Sequence, residues 1–385
     1  MVGVASLSAL LLAACSVPVP RATAEAPLPH MEAPSDVLFW TPAQREAAFR
    51  AMERITPHHV VSKGETTREL PPGEALDFDP EPFMQAHKTA GLLVLQDGKI
   101  RLEHYGLGFG PDGRWTSFSV AKSVTSTLVG AAIQQGLIAG LDAPITPYLP
   151  ELVGSAYDGV TVRQLLTMTS GVAWNEDYED PNSDVARFFG KRELPAGVDP
   201  TLDYMRRLPR VATPGARWHY STGETSLVGV LVSRATGQSL AQFLSNTLWK
   251  PYGFERDGAW MVDERGQEPG GCCLVASLRD WGRIGQFVLD GGLIDGHAVV
   301  PDDWFAHASA TQAEVGIEGR GYGYQWWTFA DGHFEARGIF GQMIYFEPEQ
   351  RLVVVLLSAW PAASSQKEVV ARDTLLAQIR AAARR

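Results

Sequence analysis

The sequence predicts an α/β fold of the α+β type, in which an antiparallel β-sheet flanked by helices stands beside a mainly helical lobe. Three observations lead there. Two strand-like segments meet at an Asp-Gly turn near residue 97, three more strand-like segments lie beyond residue 334, and the block between them is dominated by helical patterns without an internal repeat. First and last segments are therefore expected to share one sheet, with the central lobe packed against it and a cleft between the two.

Composition narrows the class. The 385 residues are 45% apolar and 20% charged, enough to bury a large core. A formal charge of −11, with no Lys/Arg run longer than a pair, disfavours nucleic acid as a partner. Three cysteines cannot build a disulfide framework, and no Cys/His spacing suits a metal, so the working class is an enzyme without cofactor or metal. The adjacent Cys272 and Cys273 are expected to be a buried, unreacted pair, because neighbouring cysteines bridge only under strain.

Taken along the chain, the first element is an uncharged apolar run over 2–14, too short to span a bilayer and ending in Leu12-Ala13-Ala14-Cys15. It resembles a bacterial lipobox. On that reading 1–15 is a lipoprotein signal with Cys15 as the lipidated residue, 16–36 a Pro-rich tether, and 37–385 the folded domain. The expected location is periplasmic, held to the membrane through the lipid alone, with plain secretion as the alternative. Segments 91–95 and 100–105 then form a hairpin, because Asp97-Gly98 supplies the positive φ angles of a tight turn. Helices follow at 119–138, 162–168, 225–236, 240–248 and 278–289. Strands at 334–337, 342–346 and 351–358 and a closing helix at 364–383 complete the order.

The candidate chemistry begins at Ser117-Phe118-Ser119-Val120-Ala121-Lys122. In a helix starting at Ser119, Lys122 lies one turn on and on the same face, near enough for its amine to meet the serine hydroxyl. A partly desolvated amine can accept the proton that a serine must lose to become a nucleophile, and the free N–H groups of a helix start can face a developing oxyanion. A second Ser-x-x-Lys at Ser364 to Lys367 follows Pro361, where N-capping explains it. Tyr220, in Pro214-Gly215-Ala216-Arg217-Trp218-His219-Tyr220-Ser221-Thr222, can relay protons as phenol or phenolate, while His219 beside it reads as a local hydrogen-bonding residue. The glycine-interrupted strand Ala336-Arg337-Gly338-Ile339-Phe340-Gly341 suits close approach of a ligand.

In this order, with Leu165-Leu166-Thr167-Met168-Thr169-Ser170-Gly171, Leu278-Arg279-Asp280-Trp281-Gly282-Arg283 and Tyr322-Gly323-Tyr324-Gln325-Trp326-Trp327 between them, the motifs resemble the serine hydrolases of the β-lactamase and penicillin-binding-protein superfamily. Within it the resemblance is to the class C-like branch of esterases and 6-aminohexanoate-dimer hydrolases, from about Phe83 to the C-terminus. It implies a β-lactamase/transpeptidase-like fold and an acyl-enzyme on Ser119. It further implies Lys122 and Tyr220 as proton-transfer pair and an oxyanion hole from the Ser119 and Ile339 amides. The loop from Ala173 to Arg187 closes over substrate in the resembled amide hydrolases, which implies binding roles for Trp174, Tyr178 and Asp184.

Two departures bear on substrate. Where the family pattern has Tyr-x-Asn this chain has Thr222 in the third position, and where it has Lys-Thr-Gly the chain has Ala336-Arg337-Gly338. Thr222, Arg337 and Gly338 are candidate substrate contacts, and Arg337 could restore the missing charge if the strand bulges. The expected reaction is hydrolysis of a small-molecule carboxylic ester or amide. A β-lactamase or D-Ala-D-Ala carboxypeptidase, and an inactive penicillin-binding-protein-like binding module, are the alternatives.

Overall fold

The computed structural model describes residues 27–384; the lipobox and Cys15 lie outside the described residues. Eight strands form one antiparallel sheet in the order Lys99–Tyr105, Thr89–Gln96, Leu352–Ser358, Gln342–Glu347, Phe334–Gly338, Trp327–Phe329, Arg320–Tyr322, Ala313–Glu314. The hairpin turns at Asp97 (φ 50°) and Gly98 (φ 72°), as Asp-Gly chemistry requires. The N-terminal hairpin joins the C-terminal strands through Thr89–Gln96, paired with Leu352–Ser358 from Gln96 opposite Leu352 to Thr89 opposite Ser358.

Both faces of this sheet are covered. Alternation along the central strands sends Leu93, Leu95, Val353, Val355 and Ile344 toward the helical side, where the helix Leu278–Leu289 packs. Leu92, Val94, Val354 and Leu356 go toward Leu375, Leu376 and Ile379 of the closing helix Gln366–Ala383. A strand buried on both sides has no polar face to show, which is why these strands read as continuous apolar runs. The closing helix is capped by Ser365, one residue after the expected Ser364, through the Glu368 N–H.

The rest of the fold departs from expectation in three places. Strands His58–Val61, Gly258–Met261, Leu274–Ala276 and Trp115–Thr116 form a second antiparallel sheet. They are two to four residues long, too short to carry a readable period. The expected helix over 240–248 is α-helical only over Leu240–Leu244 and continues as a π-turn over Ser245–Trp249. Ordered packing also begins before Val37: a 3₁₀ turn spans Pro34–Phe39, and Ala33 is buried.

Candidate active site

Ser119 sits one step before the helix expected to start there. It occupies a 3₁₀ turn, Phe118–Val120, that leads into the α-helix Ala121–Gln134. Phe118 at φ 44° turns the backbone sharply into Ser119, a conformation an L-residue holds only when packing enforces it. The enforcing contacts are aromatic: the Phe118 ring packs on Phe49 at 5.0 Å and on Phe340 at 5.2 Å, and Phe340 is itself at φ 60°. The helix behind is buried along most of its length, and Ser123 donates to the Gln325 carbonyl (2.7 Å) and Thr125 to the Gly270 carbonyl (2.7 Å).

Lys122 is 1% exposed, and its Nζ lies 3.1 Å from Ser119 Oγ, 2.9 Å from Thr222 Oγ1 and 2.8 Å from the Gly271 carbonyl. Burial lowers its pKa from 10.5 to about 8, with the charge of Glu176 acting in the opposite sense. Tyr220 supplies the third side: its hydroxyl bonds Ser119, and its ring centroid is 5.2 Å from Lys122 Nζ. Burial and the negative field of Glu176 push the phenol well above its ordinary range, so Tyr220 is a neutral phenol at any physiological pH. That removes the phenolate from the two states the sequence left open.

Two glycines make the approach possible. A Cβ at Gly338 would lie 2.5 Å from the Ser117 carbonyl and 3.1 Å from Ser119 N, so only glycine lets the strand edge come this close to the Ser119 amide. A Cβ at Gly271 would lie 2.8 Å from Thr222 Cγ2 and 3.3 Å from Lys122 Nζ. The residues that follow correct the cysteine expectation: Cys272 and Cys273 are bonded to each other. Cys272 N–H closes a turn onto Pro269 O and Cys273 stands at φ 77°, and a turned backbone can hold two neighbouring thiols on one side where an extended strand separates them.

The 173–187 loop contributes one residue that sequence reasoning passed over. Glu176 accepts from Thr222 N–H (2.9 Å), the Thr222 hydroxyl, the Tyr178 hydroxyl (2.6 Å) and Trp174 Nε1. Trp174 and Tyr178 thus meet the site through the carboxylate between them. Only their alternation with Glu176 could have pointed to it. Asp184 fastens the loop, accepting from Asn175 N–H (2.8 Å) and the Tyr204 hydroxyl (2.6 Å). His219 has the local role expected of it, its Nε2 donating to Trp174 O at 2.6 Å.

Arg337 does not act as a free cation here. It is paired with Glu335 and stands over Phe329 (5.1 Å) and Trp327 (5.8 Å). Regular pairing, Arg337 opposite Met343 and Gly338 opposite Gln342, shows no bulge to turn it. Two rings of the 322–327 cluster reach the site, Trp327 stacked on Tyr220 at 5.8 Å and Tyr322 edge-on to it at 6.2 Å. Ala336 is buried among the aromatic and aliphatic residues of the sheet's helical side.

The family described as beta-lactamase matches residues 78–378. A 6-aminohexanoate-dimer hydrolase from Paenarthrobacter ureafaciens is 32% identical over 336 residues, 82% of this chain and 85% of the relative. Esterase EstB from Burkholderia gladioli is 32% identical over 152 residues, 36% of this chain and 37% of the relative. Among solved structures, a Bacillus anthracis protein assigned as a 6-aminohexanoate-dimer hydrolase superimposes with a TM-score of 0.78 at 22% identity, over 87% of this chain and 93% of its own.

Proposed function

The chain belongs to the beta-lactamase family, and from that premise we propose that it is a serine hydrolase cleaving uncharged carboxylic esters or amides through an acyl-enzyme on Ser119. The observation that carries this reading is the buried Lys122 amine, depressed to about 8, set 3.1 Å from Ser119 Oγ. A neutral amine has two N–H groups and one lone pair. Gly271 O can only accept, and Thr222 Oγ1 accepts because its own hydrogen goes to Glu176, so the lone pair is left facing Ser119.

The steps follow from these positions. Lys122 takes the Ser119 proton as Oγ bonds to the substrate carbonyl carbon, whose π pair moves onto oxygen beside the Ser119 and Ile339 amides. The tetrahedral intermediate collapses, breaking the bond to the leaving group, which takes its proton from the Tyr220 phenol. Lys122 resupplies the phenol. Water then repeats the sequence on the acyl-enzyme and frees the acid.

Uncharged substrates are favoured by what surrounds the site. Ala336 carries no charge and Arg337 is neutralised by Glu335. Names of relatives carry both ester and amide chemistry, and a panel of p-nitrophenyl esters, short amide dimers and nitrocefin separates the classes. A fluorophosphonate probe should label the tryptic peptide holding Ser119, Ser119→Ala should abolish turnover with the fold intact, and Lys122→Ala and Tyr220→Phe should each lower turnover at least about 10²-fold. Labelling at Ser170 or Ser364 instead would overturn the assignment.

A further inference from the structure

We propose that Glu176 is a positioning residue for the same reaction: by taking the hydrogen of the Thr222 hydroxyl it forces that oxygen to accept from Lys122 and so keeps the amine's lone pair on Ser119. The inference rests on the hydrolase reading above and adds a residue that acts through another.

Hydrogen-bond bookkeeping around the carboxylate carries it. Oε1 accepts from the Thr222 hydroxyl and from Tyr178 (2.6 Å), and Oε2 accepts from Thr222 N–H (2.9 Å) and Trp174 Nε1. With two donors on each oxygen, the carboxylate is engaged by protein and is not placed as a ligand for substrate. Thr222 has a single hydroxyl hydrogen. While Glu176 holds it, Oγ1 presents only lone pairs to Lys122 Nζ at 2.9 Å. Released from Glu176, the hydroxyl can rotate and donate to the Lys122 lone pair, which then no longer serves Ser119. The arrangement is a directed chain from Lys122 N–H to Thr222 O–H to Glu176, and its direction is set at the carboxylate end.

Glu176 has a second, electrostatic effect of known sign. The groups around Lys122 that could carry charge are Glu176 from the loop, Tyr178 beside it, Tyr220 before the helix Thr222–Thr236, and Tyr322 from the sheet. All three phenols are pushed up by burial and stay neutral, so Glu176 is the charge that favours the ammonium. Removing that charge lowers the pKa of Lys122 further while the orientation of its lone pair is lost.

The test reads both effects on the full chain. Rates of fluorophosphonate labelling at Ser119 and kcat/KM for a p-nitrophenyl ester are measured from pH 6 to 10 for wild type, Glu176→Gln, Glu176→Ala and Glu176→Ala/Thr222→Val. Single variants should show a plateau at least tenfold lower, carried mainly by kcat, with the acid limb moved to lower pH. The double variant, which has no hydroxyl to compete for the lone pair, should be no slower than Glu176→Ala. A fallen plateau with an unmoved acid limb would reduce Glu176 to a structural loop contact and overturn the proposal, as would unchanged rates in both single variants. Failure of wild type itself to label at Ser119 would instead refute the hydrolase reading.

Discussion

At the scale of single residues, the site separates two ionisable side chains in opposite directions by burial. Burial disfavours the charged form of each: Lys122 is depressed to about 8, as the proposed base requires, while Tyr220 is raised and keeps its proton, as the proposed acid requires. In the proposed mechanism the base is the neutral amine, about a tenth of the population at pH 7 for a group at about 8. Ester kcat/KM should therefore climb with pH through an acid limb near 8 and then level, with no fall from Tyr220 ionisation below pH 10. A limb near pH 6 would assign the base to another residue. Tyr220 entered through the family resemblance, and the closeness of Lys122 to Ser119 was legible in the sequence because a Ser-x-x-Lys at a helix start fixes local spacing. Glu176 was not, because its importance lies in Thr222, 46 residues away, and no local pattern encodes that contact.

At the scale of elements, the turn that carries Ser119 is held by a segment that precedes the family match. The helix Pro42–Ala48, capped by Thr41, ends at Phe49, whose ring meets Phe118 at 5.0 Å and Phe340 at 5.5 Å. These two phenylalanines flank the candidate oxyanion amides, one before Ser119 and one after Ile339, and both hold positive φ. Phe49→Ala should destabilise the protein by about 3–5 kcal/mol, the usual cost of emptying a buried phenylalanine site. In the folded variant it should also lower kcat more than it raises KM, because slackened amides lose the transition state before the ground state. Chemical denaturation together with steady-state kinetics measures both; an unchanged kcat would show that the turn holds itself. Nothing in the sequence signalled this aromatic wedge, since each of the three rings is an ordinary core residue in its own segment.

At the scale of the whole molecule, sheet pairing decides which charges reach the cleft. Arg337 lies opposite Met343 and is taken up by Glu335, and Ala336 lies opposite Ile344 in the core. A carboxylate-bearing β-lactam therefore finds no cation at this strand. A charge-assisted hydrogen bond contributes about 1.5–3 kcal/mol, so kcat/KM for p-nitrophenyl butyrate should exceed that for nitrocefin by roughly ten- to a hundredfold. Arg337→Ala should leave that ratio within about twofold. A selective drop in nitrocefin hydrolysis would mean that Arg337 leaves Glu335 to bind the carboxylate.

The sequence by itself determined the order of the main elements, the shared sheet of first and last segments, and the closeness of Lys122 to Ser119. These depend on periodicity, turn chemistry and short spacings, which are local properties of a chain. The tertiary structure alone decided the rest. It turned the expected free thiols into a Cys272–Cys273 bond, drew Arg337 to Glu335, fixed the Tyr220 proton, and set Glu176 against Thr222 and Phe49 against Phe118. Each of these outcomes is a matter of burial or of contact between segments remote in sequence. Such contacts are specified by the packing of the whole core, and no window of neighbouring residues contains them.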